Sequence, residues 1–355
     1  MEEEYFRRKI SWFSFFFSLL VIWVHSYNGE LYLGKAGGAD AVYRLEALLG
    51  DGAGQIAVPG FFMVSGYLFY RDFTWQKLGG KWQRRIHSVL VPYIVWNFLY
   101  YMGYVVASRL PWIRDVVGKG VVPFTLSAMV DAVAHYTYNY VFWYLHQLIL
   151  LILMAPFLYF VLKSLWGRGL FLAFLWWAVA AKAPLPFVNA DALIYYSSAA
   201  CLAIDTRKNQ EKGQVEAGFK PKGVGPMICR RPLPWGLCLM ALSPLLYHAG
   251  LRTAFVPCFV LCRLAAVAGL WLAVPGNCLP PEKDFMKGNF FLYGAHFALV
   301  RFINKAGAKV LPPVPAVPVA LYLAMPFLVV AAVTVLGKAL RRHAPVLWNL
   351  LSGWR

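Results

Sequence analysis

The chain has 355 residues, of which 60% are hydrophobic and 17% aromatic but only 14% charged. That balance excludes an ordinary soluble enzyme and a disordered chain, and it marks one integral membrane unit, 1–355, with no separate soluble domain. The formal net charge of +18 reads as membrane topology plus attraction to anionic lipid head groups; no nucleic acid is expected as a partner, because no aromatic-interleaved basic platform accompanies the charge.

Runs of about 17 to 25 apolar residues predict an all-α bundle of about ten transmembrane helices. The first five fall near 10–27, 45–70, 88–108, 140–162 and 169–182, and the second five near 191–205, 235–250, 253–273, 288–306 and 316–338. The first run is apolar from Ser11 to Asn28 except for the ring of His25, and it lacks the small-residue cleavage site of a signal peptide. Arg7, Arg8 and Lys9 mark its cytoplasmic end, so at 1.5 Å per residue His25 lies roughly 24 Å along a slab about 30 Å thick, near the outer face. A titratable ring in the bilayer is costly and is read as functional; a histidine that merely caps its own helix end is the alternative.

The second run contains Gly50, Gly52, Gly54 and the Pro59-Gly60 pair, which predict a broken span. It ends in FFMVSGYLF at 61–69, where Ser65 and Gly66 fit either close helix packing or the wall of a substrate channel. Ser65 sits only about 9 Å from the inner surface, too far from His25 to serve it as a nucleophile partner. The run Arg71, Lys77, Lys81, Arg84, Arg85 and His87 then leads into VPYIVWNFLYY at 91–101. Clustered cations there satisfy topology and also suit phosphate recognition.

FWYLHQLILLILMAPFLY at 142–159 begins at the outer face. Trp143 and Tyr144 fit an interfacial aromatic belt, Trp143 could stack on a sugar ring, and His146 is expected as a second polar group at the depth of His25. The charged stretch from Asp205 to about residue 233 is expected to be a mobile cytoplasmic loop. Arg263 in CFVLCRLAAVAG and His296 in FFLYGAHFALVRF lie about 12 to 15 Å from their helix ends. No carboxylate matches the depth of Arg263, so a carbonyl, water or a bound anion is its expected partner. LPPVPAVP at 311–318 reads as a rigid external connection.

Ten spans place both termini in the cytoplasm, with about 23 of the 34 Lys and Arg inside, about 10 outside, and Arg263 within a span. The six cysteines form no CxxC pair, so no disulfide framework and no metal site is expected.

Taken in order, His25, FFMVSGYLF, a basic stretch ending in Pro92-Tyr93, Trp143-Tyr144-Leu145 with Pro156, and Tyr293-x-x-His296 resemble the membrane-bound acyltransferase-3 family of bacterial surface-glycan O-acyltransferases. The resemblance runs from Lys9 to about Phe302. It implies an enzyme of the bacterial inner membrane that uses cytoplasmic acyl-CoA as donor substrate, holds no permanent cofactor, and acylates, in the first instance acetylates, a surface or lipid-linked glycan at the outer face. Two positions depart from the family: Ser14 stands where a cation lies eleven residues before the first-span histidine, and Ser88 stands at the second arginine before Pro-Tyr.

On this reading Lys81, Arg84 and Arg85 hold the donor phosphates, Ser65 and Gly66 line its path, and Arg263 substitutes for the missing cations. His25 is the general base, Tyr144 or His296 supplies an oxyanion donor, and Trp143 and His146 face the acceptor. A covalent acyl-histidine is a variant. The competing functional class is a transporter or exporter of a glycan or lipid-linked intermediate, since intramembrane His and Arg also mark transport paths. A membrane scaffold without chemistry is a third.

Overall fold

The computed structural model describes residues 2–34, 39–111, 114, 120–216 and 232–354, and no strand occurs among them. The main helices are α1 (Glu2–His25), α2 (Ala57–Tyr70), α3 (Leu78–Arg85), α4 (Val91–Ala107), α5 (Trp143–Leu153) and α6 (Ala155–Leu162). They continue with α7 (Leu165–Ala180), α8 (Ala190–Glu216), α9 (Pro232–Thr253), α10 (Val256–Ala273), α11 (Asn289–Val310) and α12 (Ala316–His343). Large apolar side chains point outward: Phe160, Leu245, Phe327 and Val335 are 63 to 68% exposed, as a lipid-facing surface requires.

All ten expected segments are helical. Five stretches are long and apolar enough to cross a bilayer, and a sixth counts if α5 and α6, bent by 64°, form one span. The remaining four segments fall short for local reasons. Helix α7 has only 16 residues, and α11 carries His296, Arg301, Asn304 and Lys305 within its length.

Helix α1 begins eight residues earlier than the apolar run because Glu3–Arg7 and Glu4–Arg8 ion pairs of 3.0 and 2.7 Å bridge successive turns. Its far end is locked immediately after His25. Glu46 Oε1 accepts from Asn28 N at 2.8 Å and Gly29 N at 3.0 Å, and Asn304 Nδ2 donates to Ser26 O at 3.2 Å.

The expected break in the second span is a π turn, Leu48–Gly52, followed by a 3-10 turn, Ala53–Ile56. Its glycines serve contact as much as turning. A Cβ at Gly54 would lie 2.5 Å from Val24 Cγ2, and one at Gly60 would lie 2.3 Å from Phe17 Cε2. Pro59 falls in the first turn of α2, where its missing N–H costs nothing.

The α5–α6 bend follows from Pro156, which cannot donate to the carbonyl four residues back. That carbonyl belongs to Ile152, and it accepts instead from Trp82 Nε1 at 2.9 Å. Tyr70 Oη donates to the neighbouring Ala155 O at 2.9 Å. The bend thereby fixes α3, which carries the paired arginines.

One expectation is corrected. The stretch from Asp205 to Glu216 is not loop but the continuation of α8. Its Lys, Gln, Glu and Arg side chains are good helix formers, and Arg168 grips Asp205 with two hydrogen bonds of 2.6 and 2.9 Å. The rest of the expected loop, 217–231, lies outside the described residues.

Candidate active site

A cavity of about 1100 Å³ opens at the end of the bundle where α1 begins and α2 ends. Its mouth carries Arg7, Arg71, Lys81, Arg84 and Arg85. Three of these cations are already engaged. Arg7 and Arg71 share Glu3 at 3.0 and 2.7 Å, and Lys81 pairs with Asp72. Burial works to raise the Asp72 carboxyl, but the Lys81 ammonium outweighs it and holds the group below its usual range. Arg84 and Arg85 have no hydrogen-bond or ion-pair partner among the described residues, so their guanidinium forks remain available to an anion.

Ser14 and Ser88, the two positions where the resemblance implies cations, line this same cavity, as do Ser18 and Ser65. The cavity therefore offers short hydroxyls at those points of its wall. Deeper in, Ser65 Oγ lies 3.5 Å from Tyr144 Oη, and the rings of Tyr144 and Tyr293 meet at 5.9 Å on the inner wall.

Behind Tyr293 the polar path continues. Its ring lies 5.7 Å from His296, whose ring lies 5.5 Å from His25. His296 is 1% exposed. Its Nδ1 lies 2.6 Å from Tyr293 O, and because a carbonyl only accepts, Nδ1 carries the proton and Nε2 keeps a lone pair. That Nε2 is buried with no hydrogen-bond partner among the described residues. His25 Nδ1 lies 3.2 Å from Tyr140 Oη, and its ring packs edge-on against Tyr140 and Phe297.

Three placements differ from the sequence reading. His296 and His25 were expected at different depths, yet the crossing of α1 and α11 makes them neighbours. In its neutral form His296 presents an acceptor, not the expected oxyanion donor. His146 does not join His25; its ring lies among Tyr93 and Tyr136, at 6.3 and 5.5 Å, and its Nδ1 is buried without a hydrogen-bond partner among the described residues.

Gly66 is not on the cavity wall. A Cβ there would lie 2.4 Å from Tyr196 O, so the residue serves the close approach of α2 to α8. Arg263 stands apart from the cavity as well, with its guanidinium donating to Gln55 Oε1 at 3.3 Å. Trp143 packs on Phe62 at 6.4 Å, half-buried beside the core. Sequence reasoning missed Tyr140, because a tyrosine just ahead of FWYLH looks like one more member of an aromatic belt.

The acyltransferase-3 family profile, described as an acyltransferase domain, matches residues 8–338. The chain belongs to the acyltransferase-3 family. This acyltransferase is also similar to the succinoglycan biosynthesis protein ExoH of Rhizobium meliloti (strain 1021), at 26% identity over 94% of the chain and 89% of that protein. No solved structure matches it significantly. The family assignment and the outward apolar surface together make it a multi-pass membrane acyltransferase.

Proposed function

We propose that this acyltransferase transfers an acyl group, in the first instance acetyl, from cytoplasmic acyl-CoA to a hydroxyl of a surface or lipid-linked glycan, across a bacterial inner membrane. The observation that carries the reading is the cavity itself, which leads from the unpaired Arg84 and Arg85 to Tyr144 and Tyr293, with His296 and His25 in ring contact behind them. A glycan acceptor is supported by the similarity to a protein of succinoglycan biosynthesis.

In this reading the coenzyme's phosphates rest on Arg84 and Arg85, with Lys81 nearby, while the pantetheine arm follows the serine-lined wall inward. Ser65 and Tyr144 flank the path of the thioester. The Tyr293–His296 layer is where acyl group and acceptor meet. For His25 to act as base, Nδ1–H donates to Tyr140 Oη and Nε2 takes the proton of the acceptor hydroxyl, whose oxygen attacks the thioester carbon. Tyr144 Oη donates to the developing oxyanion, a contact of a kind worth about 2.7 to 4 kcal/mol. The C–S bond then breaks, and the thiolate recovers the proton from the His25 imidazolium. General-base action contributes about 10²- to 10⁴-fold. Arg263, engaged with Gln55, takes no part.

The test is mass spectrometry of the host's surface glycans, comparing cells that lack the protein with cells complemented by wild type, His25→Ala or Arg84→Ala/Arg85→Ala. Wild type should restore acyl mass increments and His25→Ala should not. Restoration by His25→Ala to more than about a tenth of wild type removes the base from this scheme. An unchanged glycan profile in cells lacking the protein overturns the reading as a whole.

A further inference from the structure

A second recess lies on the outside of the bundle between α4 and α11, with a volume of about 650 Å³. Its walls are aromatic and aliphatic, built from Trp96, Leu99, Tyr100, Phe297 and Phe302 among others. Leu99 and Phe302 are 39 and 70% exposed, so the recess opens sideways toward lipid. No acidic residue lines it, yet three cations do: Arg301, Lys305 and Lys309. Their spacing of four residues sets them on one face of α11 along about 12 Å.

That charge lies at the His25 end of the molecule. Helix α11 starts at the cavity mouth, where Asn289 lines the wall, and runs away from it. The groove and the histidine share a wall. Phe297 lines the groove, packs on His25 at 5.7 Å and on Tyr140 at 4.7 Å, and carries the Arg301 guanidinium 5.5 Å above its ring. Arg301 Nη1 also donates to Tyr104 Oη at 2.9 Å, which holds it at the groove edge.

An apolar trough that ends in a row of cations beside a base matches an amphiphile with a long apolar chain, an anionic junction and a polar head. We propose that the groove between α4 and α11 binds the acceptor as a lipid-linked saccharide, entering sideways from the bilayer. The chain lies along Trp96, Leu99 and Phe302, the phosphate or diphosphate junction meets Arg301, Lys305 and Lys309, and the sugar reaches over Phe297 to His25. This assignment rests on His25 as the site of transfer. A single weak anion needs no such row; charge-assisted contacts to a multiply charged phosphate use several cations at once.

Gly103 supplies a clean probe of the groove. It lines the wall, and a side chain added there meets open space within 4 Å. Gly103→Leu therefore fills the trough without forcing the helices apart. The experiment measures affinity of the detergent-solubilised protein for farnesyl diphosphate, with farnesol, inorganic diphosphate and phosphatidylglycerol as comparisons and acetyl-CoA as the donor control.

Farnesyl diphosphate should bind at least 10-fold tighter than farnesol or inorganic diphosphate, and phosphatidylglycerol should not displace it. Arg301→Ala/Lys305→Ala and Gly103→Leu should each weaken it 10-fold or more and leave acetyl-CoA affinity within twofold. Arg85→Ala should do the reverse. Farnesol binding as tightly as its diphosphate, or displacement by phosphatidylglycerol, would make the groove an ordinary lipid contact and overturn the proposal. So would affinity within twofold of wild type in both groove variants. Loss of the Arg85→Ala effect with the groove results intact counts against the donor assignment and leaves the groove standing.

Discussion

Tyr140 is the hydrogen-bond partner of His25 Nδ1. A neutral imidazole serves as base only through the nitrogen that bears no proton, and the partner of the other nitrogen fixes which one that is. In the tautomer that the proposed mechanism uses, Tyr140 Oη, 3.2 Å from His25 Nδ1, accepts from Nδ1–H and leaves Nε2 with its lone pair. Tyr140→Phe keeps the ring contacts with His25 and Phe297 and removes only the hydroxyl. Its expected effect is a fall in kcat of about 10-fold, in line with a hydrogen bond worth about 1.5 kcal/mol, with KM for acyl-CoA unchanged in steady-state assays. An unchanged kcat would show that ring packing alone orients the base. His25 was legible in the sequence because it is the one imidazole in an otherwise apolar run, and His296 was legible for a similar reason. Their contact was not, since distance along each helix says nothing of how α1 crosses α11. Gly66 and Arg263 are ambiguous in the sequence for a common cause: a small residue and a cation look alike whether they meet a ligand or, as here, Tyr196 O and Gln55.

The bent pair α5–α6 couples the fold to the cavity mouth through one indole. Trp82 sits in α3, two residues before Arg84, and satisfies the Ile152 carbonyl that Pro156 leaves open. Trp82→Phe orphans that carbonyl inside the bundle, at a cost of about 1 to 3 kcal/mol, and frees α3 to shift. A lower unfolding temperature in detergent and a several-fold higher KM for acyl-CoA are expected together; a lower temperature with KM unchanged would mean that α3 is held elsewhere. Gly66→Ala tests the neighbouring contact. A methyl 2.4 Å from a backbone oxygen cannot be absorbed by a side-chain rotation, so α2 and α8 must separate, at about 1 to 3 kcal/mol. Thermal unfolding of that variant should show the loss, and wild-type stability would mean the helices tolerate a wider gap. Apolar run length located the long helices, and Gly50, Gly52, Gly54 and the Pro59-Gly60 pair flagged the break in the second span, whereas the bend at Pro156 was not foreseen. What run length could not supply was the helical state of Asp205 to Glu216, where charge density resembles a loop until Arg168 is seen to close on Asp205.

The two ends of the chain meet at one end of the molecule. Near the N-terminus Glu3 pairs with Arg71 at 2.7 Å, and near the C-terminus Trp354 packs on His87 at 5.6 Å while Gly353 approaches Ser88 O, all at the rim of the large cavity. A membrane chain whose ends lie on one side crosses an even number of times, which ten crossings and six both satisfy. Helix α8 runs from one end of the molecule to the other: Asn189 at its start bonds to Gln147 near the His25 end, while Asp205 joins Arg168 at the opposite end. Reporter fusions after Gly213 and Arg355 should therefore both read cytoplasmic, and one after Val314, beyond the end of α11, should read external. The cationic balance gives the sign, because positive residues collect on the cytoplasmic side and Arg71, Lys81, Arg84 and Arg85 crowd the cavity mouth. A cytoplasmic signal after Val314 would place His25 and Arg85 on one side of the membrane, and transfer from an internal donor to an external acceptor would lose its geometric basis.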